Sequence, residues 1–132
     1  MKNNTQPRIG VLAIQGNYAS HAQALAEAGA EPIEVRKPEE LAGLDGLILP
    51  GGESTTMLRF LEKHSFFELL QEFCRTKPVF GTCAGVILLA RRDGFPALVR
   101  ERNILAATFH PELSRDRRVH RLFVEAVAAA RK

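Results

Sequence analysis

One cysteine lies in a setting that suits a catalytic nucleophile. Cys83 occupies the centre of the pentapeptide from Gly81 to Gly85, between a short apolar run and a segment of helix-forming residues. This is the layout of a nucleophile elbow, in which a strand reverses into a helix and the nucleophile stands at the turn. Glycines leave room for the reversal, and the positive end of the following helix favours the thiolate. The alternative interpretation is a buried cysteine in a tight turn.

A base for this thiol, with a partner for the base, occurs further along the chain. His110 and Glu112 are two residues apart, so their side chains share one side of an extended chain, and Pro111 between them disfavours a helix. The imidazole can take the proton of Cys83 while the carboxylate holds its other ring nitrogen. The sequence therefore predicts a triad of Cys83, His110 and Glu112, although His-Pro-Glu alone is usually just a strand exit.

Backbone donors could complete such a site. Paired glycines follow an apolar run, and the N–H of Gly52 together with that of Ala84 could form an oxyanion hole. The alternatives are an ordinary turn at residues 50–52 and, for Glu53, a charge that only stabilises a helix N-terminus.

The elements that must position these groups alternate between apolar strands and helices. Strands are predicted at 9–14, 32–35, 44–49, 79–80, 96–100 and 104–109, the last two as a hairpin. Helical segments are predicted at 18–28, 37–41, 57–61 and 66–73, and after Ser114 as the cap of a final helix with a buried stripe of Val119, Leu122, Phe123 and Ala126. This alternation predicts an α/β fold, an open and mostly parallel sheet with helices on both faces and a C-terminal hairpin and helix.

Ligands of such sheets bind beyond the carboxyl ends of the strands. The loops expected there contain Gln15, the run from Gly51 to Ser54, Cys83, and the run from His110 to Glu112. Their coincidence at one edge favours the catalytic interpretation over the separate alternatives.

Composition agrees with one globular domain over 1–132 that has a polar tail at 1–8. The chain has 45% hydrophobic and 25% charged residues, and its two cysteines without an apolar leader predict a reducing cytoplasm and no disulfide scaffold. No apolar run reaches membrane-spanning length, and the net charge of +3 is mild. The arginines at 115, 117, 118 and 121 indicate a solvated helix face more than nucleic-acid binding.

Several other reactive residues have no partner pattern. We interpret His21, His64 and His120 as surface or packing residues, and Cys74 as a small core residue rather than a second catalytic thiol.

Three segments resemble the class I glutamine amidotransferases, which have a flavodoxin-like fold, and within them the glutaminases of pyridoxal 5'-phosphate synthases. They are Leu49 to Thr56, Phe80 to Gly85 and Thr108 to Leu113, and the similarity extends from about Arg8 to Arg91 and again from Phe95 onward. The resemblance implies that Cys83 attacks the amide of L-glutamine and forms a thioester, which water cleaves to glutamate after ammonia has left.

The resemblance also implies a role for each remaining site residue. His110 would be the general base and acid with Glu112 as its orienter, and Gly52 and Ala84 would be the oxyanion donors. The run Gly52, Glu53 and Ser54 would contact glutamine, and Gln15 would face the synthase subunit that takes the ammonia. The resemblance implies no metal and no cofactor, and we expect neither a nucleic acid nor a membrane as a partner.

The sequence departs from this family pattern after Arg91 and Arg92. Family members carry an insert there, with motifs that help bind the glutamine backbone, and no residue near 91–94 of this sequence matches it. Either the protein is an internally deleted form, or its sequence as given omits residues that the molecule contains. If the deletion is real, the substrate loses an anchor and we expect a weak or inactive glutaminase. The alternatives are a docking module of the same complex that does not turn over, and another cysteine hydrolase on this fold.

Overall fold

The computed structural model describes residues 6–13, 18–50, 67–82, 98–101, 104–107, 112 and 115–131. The predicted helix at 57–61 lies outside these residues, as do the predicted turn after Thr82 and the predicted oxyanion loop at Gly52.

Within the described residues, strands and helices alternate as predicted, with ends that differ by a few residues. The strands are β1 (Arg8–Leu12), β2 (Glu31–Val35), β3 (Gly46–Leu49), β4 (Val79–Thr82), β5 (Leu98–Glu101) and β6 (Ile104–Ala107). The helices are α1 (Tyr18–Glu27), α2 (Phe67–Thr76) and α3 (Arg118–Ala130), and a 3₁₀ turn spans Pro38–Leu41. Gly29 ends α1 with a positive φ of 97°, a conformation that glycine adopts without strain.

The six strands form one sheet in the order β2-β1-β3-β4-β6-β5. All neighbours are parallel except β5 and β6, which form the predicted antiparallel hairpin. The hairpin folds back so that β6 lies against β4 and β5 is at the edge. The predicted open and mostly parallel sheet is therefore confirmed.

Helices cover both faces of this sheet because its central strands are apolar on both sides. One face packs Leu47 and Val79 against Phe73 of α2 and the 3₁₀ turn. The other packs Ile48 and Phe80 against α1 and α3. Burial of consecutive residues explains why these strands are continuous apolar runs rather than alternating ones.

Two details predicted for the last helix are wrong. The N-cap of α3 is Arg117, not Ser114, and the carboxylate of Asp116 accepts the backbone N–H of Arg118 at 3.0 Å. Asp116 thus satisfies one of the donors that the first turn leaves unpaired.

The buried stripe of α3 matches its prediction in part. Phe123 is buried as predicted, and Val119 and Leu122 pack partly buried against the core, but the buried positions beside Phe123 are His120, Val124 and Val127, and Ala126 is only partly buried. The prediction missed the other three because it counted the histidine as polar, although His120 opens the spacing i, i+3, i+4 and i+7 of a buried helix face.

No helix among the described residues is long and apolar enough to cross a membrane. Those residues also include no cluster of three or more side chains that could hold a metal ion.

Candidate active site

Four adjacent strands end at the edge of the sheet where the sequence predicts the site. β1, β3, β4 and β6 are neighbours in that order and run parallel, so their carboxyl ends meet. The chain passes from Thr82 directly into Cys83, and Thr82 is in register with Ala107, three residues before His110. Such an edge is where open α/β sheets bind ligands.

The structure describes one of the predicted site residues. Glu112 is buried, with 7% of its surface exposed. The others lie outside the described residues, so the predicted contacts among them stay predictions; they are Gln15, Gly52, Glu53, Ser54, Cys83, Ala84 and His110.

The start of the predicted elbow is held in the middle of the sheet. Phe80 and Gly81 pair with β3 on one side and with β6 on the other. All four residues of β4 are buried, including the polar Thr82. The strand that leads to Cys83 is therefore buried and paired on both sides, which is the kind of support that a predicted nucleophile needs.

Two histidines without a predicted catalytic role form a chain of contacts that ends at Glu112. Nε2 of His21, in α1, is 3.5 Å from Oε1 of Glu112. Nδ1 of His21 is 3.1 Å from Nε2 of His120, in α3. Both histidines are fully buried, so of the two interpretations, surface or packing, packing is the correct one for them, and they also contact each other. His64 lies outside the described residues.

The positions of His21 and His120 in the sequence match a buried helix face, although histidine is a polar residue. His21 precedes the buried Ala24 and Leu25 by three and four residues, and His120 stands in the same relation to Phe123 and Val124. A histidine at the first position of a buried helix stripe is expected inside, where its ring nitrogens need partners.

The His120 ring packs against an aromatic side chain of the sheet. It meets Phe80 of β4 edge-on, with ring centroids 5.7 Å apart, and Phe80 in turn packs against Phe123 at 5.5 Å. Burial, and to a smaller extent the charge of Arg117, lower the pKa of His120 to about 4. The ring is therefore neutral at pH 7.

Arg117, the N-cap of α3, is held near His120 by an ion pair with Glu27 of α1. Its Nε donates to Oε1 of Glu27 at 2.6 Å, and only 11% of its side chain is exposed. The bond to Arg117, with a smaller contribution from Gln23, lowers the pKa of Glu27. Arg115, Arg118 and Arg121 are exposed as predicted, whereas Arg117 departs from the predicted solvated face.

Cys74 has the packing role predicted for it. It is partly buried in α2 against the core, and burial raises the pKa of its thiol, which favours the unreactive protonated form.

Comparisons with known proteins agree with this fold. A model of the SNO glutamine amidotransferase family matches residues 11–99. This chain belongs to the SNO glutamine amidotransferase family. A solved glutamine amidotransferase superposes with a TM-score of 0.81 at 31% identity, over 91% of this chain and 98% of the other. A putative GMP synthase protein from Thermoplasma acidophilum, with a TM-score of 0.75 and 19% identity over 98% of both chains, shows the same fold.

Two relatives are named as subunits of a pyridoxal 5'-phosphate synthase. The pyridoxal 5'-phosphate synthase subunit PdxT of Koribacter versatilis is 36% identical over 184 positions, covering 91% of this chain and 95% of the relative. PdxT of Solibacter usitatus is 35% identical over 187 positions, covering 89% and 97%. Because these alignments are longer than the 132 residues of this chain, each relative has residues without a counterpart here. The position of these unmatched residues, near 91–94 of this chain, stays a prediction from the sequence.

Proposed function

We propose that this protein hydrolyses L-glutamine to L-glutamate and ammonia, and that it supplies the ammonia to a synthase subunit that makes pyridoxal 5'-phosphate. Membership of a glutamine amidotransferase family supports the enzyme class. The PdxT relatives, which are named as subunits of pyridoxal 5'-phosphate synthase, support the synthase partner.

The reaction divides between two steps at Cys83. Its thiolate attacks the side-chain amide carbon of glutamine, and the N–H groups of Gly52 and Ala84 stabilise the oxyanion. His110 protonates the departing nitrogen, so ammonia leaves and a glutamyl thioester remains. The same imidazole then removes a proton from water, which cleaves the thioester to glutamate and restores the thiol. Glu112 orients His110 and stabilises its cationic form.

The observation that carries this proposal is the parallel pairing of β4 with β6. It puts Thr82, next to Cys83, in register with Ala107, which leads to His110. Glu112 is buried beyond that strand end, where an orienting carboxylate is protected from water. The strand pairing and the buried carboxylate support a thiol, a base and an orienter at one edge of the sheet.

Substrate and partner contacts complete the proposal. Gly52, Glu53 and Ser54 would contact glutamine, and Gln15, in the loop after β1, would face the synthase subunit. No cofactor or metal takes part in the proposed steps, and the cytoplasmic location stays a prediction.

The test is glutamate and ammonia release by the whole protein, with the synthase subunit of a PdxT relative present. We expect Cys83→Ala to abolish release and Cys74→Ala, a matched substitution in α2, to leave it unchanged. A glutamine-like affinity label should modify Cys83 alone.

Two outcomes would replace the proposal. Binding to the synthase without any ammonia release would indicate a docking module. Hydrolysis of other amides, with Cys83 resistant to the label, would indicate a different cysteine hydrolase.

A further inference from the structure

Three buried polar side chains form a line that ends at Glu112 of the proposed triad, and one of them, His21, comes from a distant part of the chain. His120 of α3 contacts His21 of α1 at 3.1 Å, and His21 reaches toward Glu112 at 3.5 Å. The exposed fraction is zero for both rings and 4% for the Glu112 side chain. In such a buried setting the direction of each N–H strongly affects the energy, because bulk water does not screen an N–H that points away from an acceptor.

The protons of the two rings can be assigned from the partners of their nitrogens. His120 is neutral at pH 7, so it carries one proton, and its Nδ1 has no hydrogen-bond partner among the residues the structure describes. If that proton is on Nε2, it is donated to Nδ1 of His21. A neutral His21 then carries its own proton on Nε2, which faces the Glu112 carboxylate.

The opposite assignment, in which His21 donates to His120, is less favourable for both histidines. A His21 that donates from Nδ1 would force the proton of His120 onto Nδ1, a buried donor for which the described residues offer no acceptor. It would also turn a lone pair of His21 toward the carboxylate, or else require a second buried charge on His21. With the proton of each ring on Nε2, none of these costs arises.

We propose that His120 and His21 form a directed N–H relay that holds the Glu112 carboxylate in the orientation His110 needs. Both histidines are positioning residues, since they act through Glu112. At 3.5 Å the last contact is longer than an ordinary hydrogen bond, so it acts mainly as an attraction between the N–H dipole and the carboxylate. The catalytic consequence of the relay rests on the proposed glutaminase function.

A matched pair of substitutions at His21 tests that consequence. The amide of His21→Gln lies near the position of Nε2 and can still donate to Glu112, whereas that of His21→Asn lies near Nδ1 and cannot reach it. With the synthase subunit present, we expect His21→Gln to keep kcat within about threefold and His21→Asn to lose about tenfold or more. The KM for glutamine should change less than about twofold in either, because neither side chain has a substrate contact in the proposed mechanism.

Thermal unfolding of both variants shows whether they keep the fold. Equal kcat values in two folded variants would overturn the relay, and so would a loss that appears in KM alone.

The tautomers can be read directly, without any activity. In protein labelled with ¹⁵N-histidine, NMR at pH 7 should show both His21 and His120 protonated on Nε2 only, with the signals assigned by the variants. A proton on Nδ1 of either ring, or a doubly protonated His21, would overturn the relay even in an active enzyme. A wild-type protein that releases no glutamate would instead sink the proposed function, and the NMR result would still decide the relay.

Discussion

At the scale of single residues, Glu112 is the member of the proposed triad that the structure describes, and its carboxylate is buried. Its oxygen faces a ring nitrogen of His21, and it stands two residues after His110. A carboxylate in this role stabilises the imidazolium that forms while the thiol reacts, so its charge matters more than its shape.

Replacing Glu112 by Gln keeps the shape and removes the charge. We expect kcat for glutamine hydrolysis to fall about 100-fold or more, with little change in KM, because the lost stabilisation acts on the reacting imidazole. Steady-state kinetics with the synthase subunit present measure this loss. Glu125→Gln, an exposed substitution on α3, is the control and should leave kcat unchanged. An active Glu112→Gln enzyme would remove Glu112 from the mechanism.

His120 predicts a pH dependence of stability. Its pKa is about 4 in the folded protein, below the ordinary value of 6.5, so the unfolded chain takes up the proton first as the pH falls. Stability from this group is complete above about pH 6.5 and is lost toward pH 4, by about 3 kcal/mol. Among the described residues, the titratable or charged groups that face the ring or influence it are Arg117, His21 and, through His21, Glu112.

Urea unfolding at pH 7 and at pH 4.5 measures this dependence. Because other groups also titrate in this range, the comparison is with His120→Gln, which should lose less stability between the two pH values than the wild type does. Parallel losses in the two proteins would show that His120 does not titrate as its burial indicates.

At the scale of elements, close packing between β3 and α3 sets where the last helix lies. A Cβ added at Gly46 would come within 2.7 Å of Cγ2 of Val127 and 3.3 Å of the Phe123 ring. Glycine at this position therefore lets α3 approach the sheet, and the same approach brings His120 to His21.

This packing can be tested by a double-mutant cycle. We expect Gly46→Ala to lower the free energy of unfolding by about 1–3 kcal/mol, because neither neighbour can move away without disturbing the core. In a Val127→Ala background the same change should cost less, since the removed methyl groups make room for the new Cβ. Urea denaturation of the four proteins gives the coupling energy, and strict additivity would contradict the contact.

At the scale of the whole molecule, the chain is shorter than the alignments with its PdxT relatives. The resemblance implies that the absent segment near 91–94 would help bind the glutamine backbone. A substrate without that anchor is positioned less well, and positioning supplies much of the rate in such reactions.

We therefore expect a weak glutaminase, with kcat/KM for glutamine at least about tenfold below that of the Koribacter versatilis relative and mostly through a higher KM. The two proteins should be assayed side by side with the same synthase subunit. The preparation of this protein should have an intact mass that matches its 132 residues. Equal values of kcat/KM would show that the absent segment is not needed.

Local patterns in the sequence determined the class of fold and the expected site residues. Buried runs such as Leu47 to Leu49 show strands that are apolar on both faces, and Gly29 marks a helix end through its own conformational freedom. These features depend on near neighbours in the chain, which is why periodicity and turn residues were sufficient to predict them.

Only the tertiary structure decided which distant parts meet. It inserted β6 between β4 and β5, and so brought Thr82 into register with Ala107. It also joined His21 to His120 across 99 positions of the chain. A helical pattern shows that a histidine is on a buried face, but its partner depends on how two helices pack on the same side of the sheet, and that packing is a property of the assembled core.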